Sequence, residues 1–227
     1  MDLTYYGHSC FLVKVGNKKL LFDPFVTPND LANSIINVNS IEADYILVSH
    51  AHSDHFADCV DIARRTGATV ICTFEISQWL NQNGIANTFP MNTGGRASFE
   101  GFAVKCVVAH HSSSFSDGSY GGNPFGFVVT SDEGNFYFSG DTALTLDMQL
   151  LPRWAKLNFA VLCIGDNFTM GVEDAVECSR MIDCKTVIGA HYDTFAPIKI
   201  DHTKAKKTFE DAGAKLHLLK IGETRGI

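Results

Sequence analysis

At 227 residues, with 45% hydrophobic and 19% charged side chains, the chain reads as a single globular domain over residues 1–227, able to bury a sizeable α/β core and too apolar for extended disorder. Eighteen Lys and Arg against 25 Asp and Glu leave a formal net charge of −7, which speaks against a broad nucleic-acid surface or an anionic-membrane surface. Seven cysteines form no C-x-x-C pair and read as reduced, buried thiols of a cytoplasmic protein, and no apolar run approaches the roughly 18 residues of a membrane span.

From the start, residues 3–6, 10–15 and 19–25 read as short strands parted by Gly7 and the Gly16-Asn17 turn, a β-meander opening. A helical stretch is expected around Ile41, then an apolar strand over residues 44–49 and a helix over 56–67 stopped by Gly67. Residues 68–73 read as a strand, 75–84 as a helix, and 97–110 as a hairpin turning at Glu100-Gly101. The segment Ser112 to Pro124 is rich in Gly and Ser and without periodicity; Phe115 and Tyr120 make it a candidate substrate loop. Residues 125–141 form a second hairpin, and the remainder alternates helix (146–157, 172–182, after Asp201) with strand (158–166, 186–191, 215–221). Hairpins followed by βα units in each half predict an α/β four-layer αββα sandwich, two mixed sheets flanked by helices.

The densest chemistry is SHAHSDH, residues 49–55, which places three imidazoles and a carboxylate in six positions of a chain with nine histidines. Imidazole and carboxylate are the ligands of zinc and similar borderline metals. In an extended segment His50 and His52 project to one side and can share an ion, while Asp54 and His55, where the chain turns into a helix, can face a second. Crowding these groups without a cation would leave several polar side chains buried and competing. The other candidates, His111, Asp141 and His191, each follow an apolar strand, and strand ends are where ligands gather in layered α/β folds. His110 and His111 would point oppositely on a strand, so only one can be a ligand.

HAHSDH with those strand-end residues resembles the metallo-β-lactamase superfamily. YGHSCFLV, LLFDPF, HHSSS, SGDT, DNFTMG and GAHYDTF are similar to its small bacterial metal-dependent hydrolase group, akin to the ascorbate-phosphate lactonases. The resemblance implies His50, His52 and His111 on a first metal, Asp54, His55 and His191 on a second, and Asp141 bridging both. It further implies two divalent ions, zinc foremost with manganese, iron or nickel as alternatives, and a small-molecule substrate. Where relatives carry Gly-Gly-Asn, this chain has Gly165-Asp166-Asn167; the added acid either disfavours very anionic substrates or makes a local hydrogen bond.

The expected chemistry is hydrolysis of an ester, lactone or phosphodiester by a hydroxide bridging two metals, with Asp54 orienting it. His8 is a candidate proton donor or else a hydrogen-bonded structural residue, and Asn167 is a candidate oxyanion contact. Asp23 either orients a metal-bound imidazole or forms the turn before Pro24. His202 and His217 are assigned to the surface, and Trp79 and Trp154 to helix packing. The rival readings are a mononuclear-iron oxidoreductase, disfavoured because Asp54 and His55 complete a second position, and a non-catalytic metal-stabilised binding module. Association into a homo-oligomer is compatible with all of these.

Overall fold

The computed structural model describes residues 1–227. The meander forms β1 (Asp2–Gly7), β2 (Cys10–Val15) and β3 (Lys18–Phe22), and parallel strands β4 (Tyr45–Leu47), β5 (Thr69–Thr73) and β6 (Thr88–Met91) extend it. The second sheet holds β7 (Arg96–Phe99), β8 (Phe102–Val108), β9 (Phe125–Ser131), β10 (Gly134–Phe138), β11 (Phe159–Cys163), β12 (Thr186–Ala190) and β13 (Lys215–His217). The chain then returns to the first sheet as β14 (Thr224–Gly226), antiparallel to β1, so each sheet has seven strands.

Period-two alternation builds the layers. Along β2, Phe11, Val13 and Val15 enter the apolar cluster between the sheets, while Cys10 and Leu12 enter the cluster under the helices of the first sheet. Along β11, Phe159 and Val161 point between the sheets, and Ala160 and Leu162 point to the outer cluster of the second. Phe22 is central to the middle layer, stacked on Phe11 at 4.5 Å and meeting Phe136 and Phe138 edge-on at 5.7 and 5.6 Å. Helices α1 (Ser53–Phe56), α2 (Cys59–Thr66) and α3 (Phe74–Gln82) cover one sheet, and α4 (Val172–Met181) and α5 (His202–Asp211) the other. The result is the αββα sandwich.

Local expectations fail where a breaker outweighs apolar spacing. The helix expected over 146–157 is a 3-10 run, Leu146–Arg153, with Pro152 inside it; proline supplies no amide donor to an α-helical ladder. Trp154 behind it is 43% exposed and lies under the Lys105 ammonium at 4.4 Å rather than in a helix interface. Around Ile41 only a 3-10 turn forms, Val38–Ser40, capped by Asn37. Of the helix expected over 56–67, Cys59–Thr66 forms as α2, and Phe56 is instead the last residue of α1. Between them Asp58 turns its carboxylate back onto the Val26 and Thr27 amides at 2.6 and 2.9 Å. Gly67 ends α2 in the left-handed conformation, φ 71°, which glycine adopts at little cost.

Candidate metal centre

Loops at one edge of both sheets deliver the predicted donors to one place. After β4 the chain stays extended to His52, which sits at the N-terminal end of α1; that start sends His50 and His52 one way and sets Asp54 and His55 on the first helical turn. Asp141 follows β10 through Ser139-Gly140. Gly140 has φ 58°, and a Cβ there would lie 2.9 Å from the Ser49 Cβ, so glycine lets the two loops meet. His191 follows β12 at φ 54°, its amide donating to the His8 carbonyl at 3.0 Å.

Asp23 gathers His50 and His55 from beneath, and above it lie two further groups of ligand atoms: His50, His52 and His111 in one, Asp54, His55 and His191 with His8 in the other. Asp141 Oδ2 faces both, 2.9 Å from His191 Nε2, 3.3 Å from His55 Nε2 and 3.6 Å from His111 Nε2. His110 is exposed, its backbone tied to Thr142 Oγ1 and Ala143. The structure thus brings His111, and not His110, to the cluster.

Asp23 lies fully buried beneath the motif. The Ser49 amide and hydroxyl donate to its carboxylate at 2.7 and 2.6 Å, and His55 Nδ1 donates to it at 2.7 Å. With its own proton committed to Asp23, Ser49 Oγ accepts from His50 Nδ1 at 2.9 Å. One carboxylate therefore places the Nδ1 proton of two imidazoles and turns both Nε2 atoms toward the cluster. His50 Nε2 then points at His52 Nδ1 across 3.0 Å.

Electrostatics matches a cation site. Burial resists ionisation of Asp54 and Asp141, yet His55, His191 and, for Asp54, His8 outweigh it and hold both well below the usual carboxylate range. Burial also disfavours the His55 and His191 imidazolium ions, but Asp141 and Asp54 prevail, holding His55 well above its ordinary value and lifting His191 to about 9. Burial pushes His50, His52 and His111 down, leaving neutral imidazoles. His55 Nε2 and Asp141 Oδ1 are buried and lack a hydrogen-bond partner; such groups are costly unless something satisfies them. Ionised carboxylates, the neutral imidazoles of His50, His52 and His111 and unpartnered buried donor atoms fit divalent cations, and at His55 and His191 a cation would take the place of the imidazolium protons that the same carboxylates favour.

His8 has both ring nitrogens engaged: Nε2 is 3.1 Å from Asp54 Oδ2 and Nδ1 is 2.9 Å from Thr194 Oγ1. Asn167 is exposed, its backbone left-handed at φ 56°, its amide donating to Asp166 Oδ1 at 2.8 Å, and no side-chain bond takes it to the cluster. Asp166, also exposed, thus makes the local hydrogen bond. In the loop after His111, Phe115 is buried, whereas Tyr120 is exposed and donates to Asn123 at 2.7 Å. His202 is at the surface, 2.6 Å from Asp193, and His217 is half-buried on β13. Sequence reasoning passed over Ser49, Ser112, whose hydroxyl lies 3.3 Å from His52 Nε2, and Thr194. Ser49 and Ser112 adjoin predicted ligands, the one signal that could have found them.

A cluster of this composition at the shared edge of an αββα sandwich defines a metal-dependent hydrolase of the metallo-β-lactamase type. The family model described as "Beta-lactamase superfamily domain" matches residues 18–192. A UPF0173 metal-dependent hydrolase of Christiangramia forsetii is 50% identical over 224 residues, 99% of each chain, and one of Thermus thermophilus is 43% identical over 223 residues, covering 98% of this chain and 97% of its own. Among solved structures, the metallo hydrolase Igni18 of Ignicoccus hospitalis superposes with TM-score 0.88 at 33% identity, covering 99% of this chain and 97% of that one. The chain belongs to the β-lactamase superfamily, among its UPF0173 metal-dependent hydrolases.

Proposed function

We propose that this hydrolase holds two divalent cations, zinc foremost with manganese, iron or nickel as alternatives, and cleaves an ester, lactone or phosphodiester of a small molecule. The observation that carries the reading is Asp141, whose Oδ2 faces donors of both groups within 3.6 Å. His50, His52 and His111 would hold one cation, and Asp54, His55 and His191 the other. Cations held by these residues would supply Lewis acidity, lowering the pKa of a bound water and polarising a substrate oxygen.

The chain's own residues supply orientation. Asp23 fixes His55 directly and His50 through Ser49. His8 steadies Asp54 while Thr194 steadies His8. With both ring nitrogens so engaged, His8 is better placed to orient Asp54 than to protonate a leaving group, and Asn167 has no contact that supports an oxyanion role. The seven buried, unpaired cysteines support a reducing cytoplasmic setting, and no helix is long and apolar enough to cross a membrane. The net charge of −7 fits a small-molecule substrate better than a nucleic acid.

The test is metal analysis of protein purified without added metal, together with turnover of p-nitrophenyl esters and bis(p-nitrophenyl) phosphate. Two cations per chain, and loss of metal-dependent turnover in both His52→Ala and Asp141→Ala, are expected. Full activity in both variants refutes the proposal, and one iron per chain favours the oxidoreductase.

A further inference from the structure

Beside the histidine motif lies a cavity of about 350 Å³ that none of the seven histidine and aspartate donors lines. Alternation along residues 50–52 turns His50 and His52 to the cluster and Ala51 the other way, and Ala51 forms part of the cavity wall. Phe56 and Val60 come from α1 and α2, Trp79 from α3, and Phe115 from the loop after His111. Trp79 and Phe115 stack at 4.9 Å, and Phe56 meets them edge-on at 5.4 and 5.5 Å. The loop is fixed against the motif: the Ala51 amide donates to Ser113 Oγ at 3.2 Å, and the Gly121 amide to the Ser113 carbonyl at 3.0 Å. At Gly121 the two backbones approach so closely that a Cβ would lie 2.2 Å from that of Ala51. The aromatic wall is therefore preformed.

We propose that this cavity binds an uncharged apolar group of the substrate, an aryl ring or short alkyl chain, attached to the bond cut at the neighbouring cluster. The assignment rests on the hydrolase reading. The volume is that of a small-molecule site and too small for a helix or a protein surface. The lining is mostly apolar, and Asp117 at its edge, on a chain of net charge −7, disfavours anions. Ala51 and Ser53, both in its wall, alternate along the chain with His50, His52 and Asp54, so the cavity adjoins the donors. The same loop also carries His111 and places Ser112 Oγ 3.3 Å from His52 Nε2, so a group held against Phe115 is anchored to the element that completes the cluster.

The test has a binding arm and a turnover arm. In Trp154→Phe protein, where Trp79 is the remaining tryptophan, 4-phenyl-1-butanol is titrated while the Trp79 emission is followed; a saturable change is expected, weaker with 4-phenylbutanoate. Ala57→Phe, at an exposed position on the cavity edge, should abolish it without disturbing the core. In metal-loaded enzyme, kcat/KM for p-nitrophenyl acetate, butyrate and hexanoate should rise about four-fold per buried methylene. In Ala57→Phe the dependence on chain length should be flat. Absence of a saturable emission change, or the same chain-length slope in Ala57→Phe, overturns the site. An emission change without turnover of any ester leaves the site standing and counts against ester hydrolysis instead.

Discussion

Replacing Asp23 by Asn keeps the size of the side chain and removes its charge beneath the cluster. The carboxylate accepts three hydrogen bonds: from the Ser49 amide at 2.7 Å, the Ser49 hydroxyl at 2.6 Å and His55 Nδ1 at 2.7 Å. An Asn retains one acceptor, which can keep the Ser49 amide, and turns an NH2 toward the other two donors. His55 then favours the tautomer with its proton on Nε2, the atom that faces Asp141, and Ser49 no longer directs the His50 proton to Nδ1. Loss of one such supporting contact typically weakens metal binding 10–100-fold. Because Asp23 serves two imidazoles, a loss toward the upper end, about 100-fold or 2.7 kcal/mol, is expected. Competition with a chromophoric zinc chelator at neutral pH measures it directly, and circular dichroism of the chelator-treated variant separates it from misfolding. Zinc affinity within about two-fold of wild type in a folded Asp23→Asn protein would refute the claim that Asp23 sets the tautomers.

His110→Ala should keep metal content and turnover near wild type, whereas His111→Ala should lose one cation per chain and at least about 100-fold in activity; metal analysis and kinetics on both variants check this. Phe22→Ala, in the middle layer among Phe11, Phe136 and Phe138, should destabilise the fold by about 3–5 kcal/mol in urea unfolding. In chelator-treated protein the unfolding midpoint should peak near pH 6.5. Burial opposes the His191 imidazolium, but Asp141 and Asp54 lift its pKa to about 9, so its stabilisation is complete below the unfolded value of about 6.5 and lost as pH rises through 9. Burial, aided by His191, depresses His8 to about 4, so its contribution is present above about 6.5 and lost as pH falls through 4. Thermal melts from pH 4 to 9 decide, and a midpoint that climbs steadily from pH 7 to 9 contradicts the His191 assignment.

Much of the molecule could be read locally. Apolar runs ending at His50, Asp141 and His191 mark strands that stop where ligands gather, and the hairpin-then-βα order in each half was enough for the four layers. Reading failed where a local rule met a competing one. Residues 146–153 carry apolar side chains at helical spacing, yet Pro152 leaves the segment 3-10, and Trp154 is exposed as a result. Residues 56–67 read as one helix, but it starts only at Cys59, after Asp58 has accepted bonds from the Val26 and Thr27 amides. Asn167 looked like a site residue because of the residues around it, while the structure leaves it exposed with its amide bonded to Asp166.

What the sequence determined alone was which histidines and carboxylates are candidate donors and how they are spaced at short range, because alternation along an extended segment and the turn into α1 act over a few residues. What only the tertiary structure decided was which distant groups meet. Asp23 reaches His55 across 32 residues and Thr194 reaches His8 across 186. The choice of His111 over His110 depends on Thr142 and Ala143, which hold the His110 backbone from the neighbouring loop. Asp141 lies between the two ligand groups because the two sheets bring their loop-bearing edges together. Gly140 beside it permits the close approach to Ser49, but the packed aromatic layer between the sheets is what sets the partner loops there.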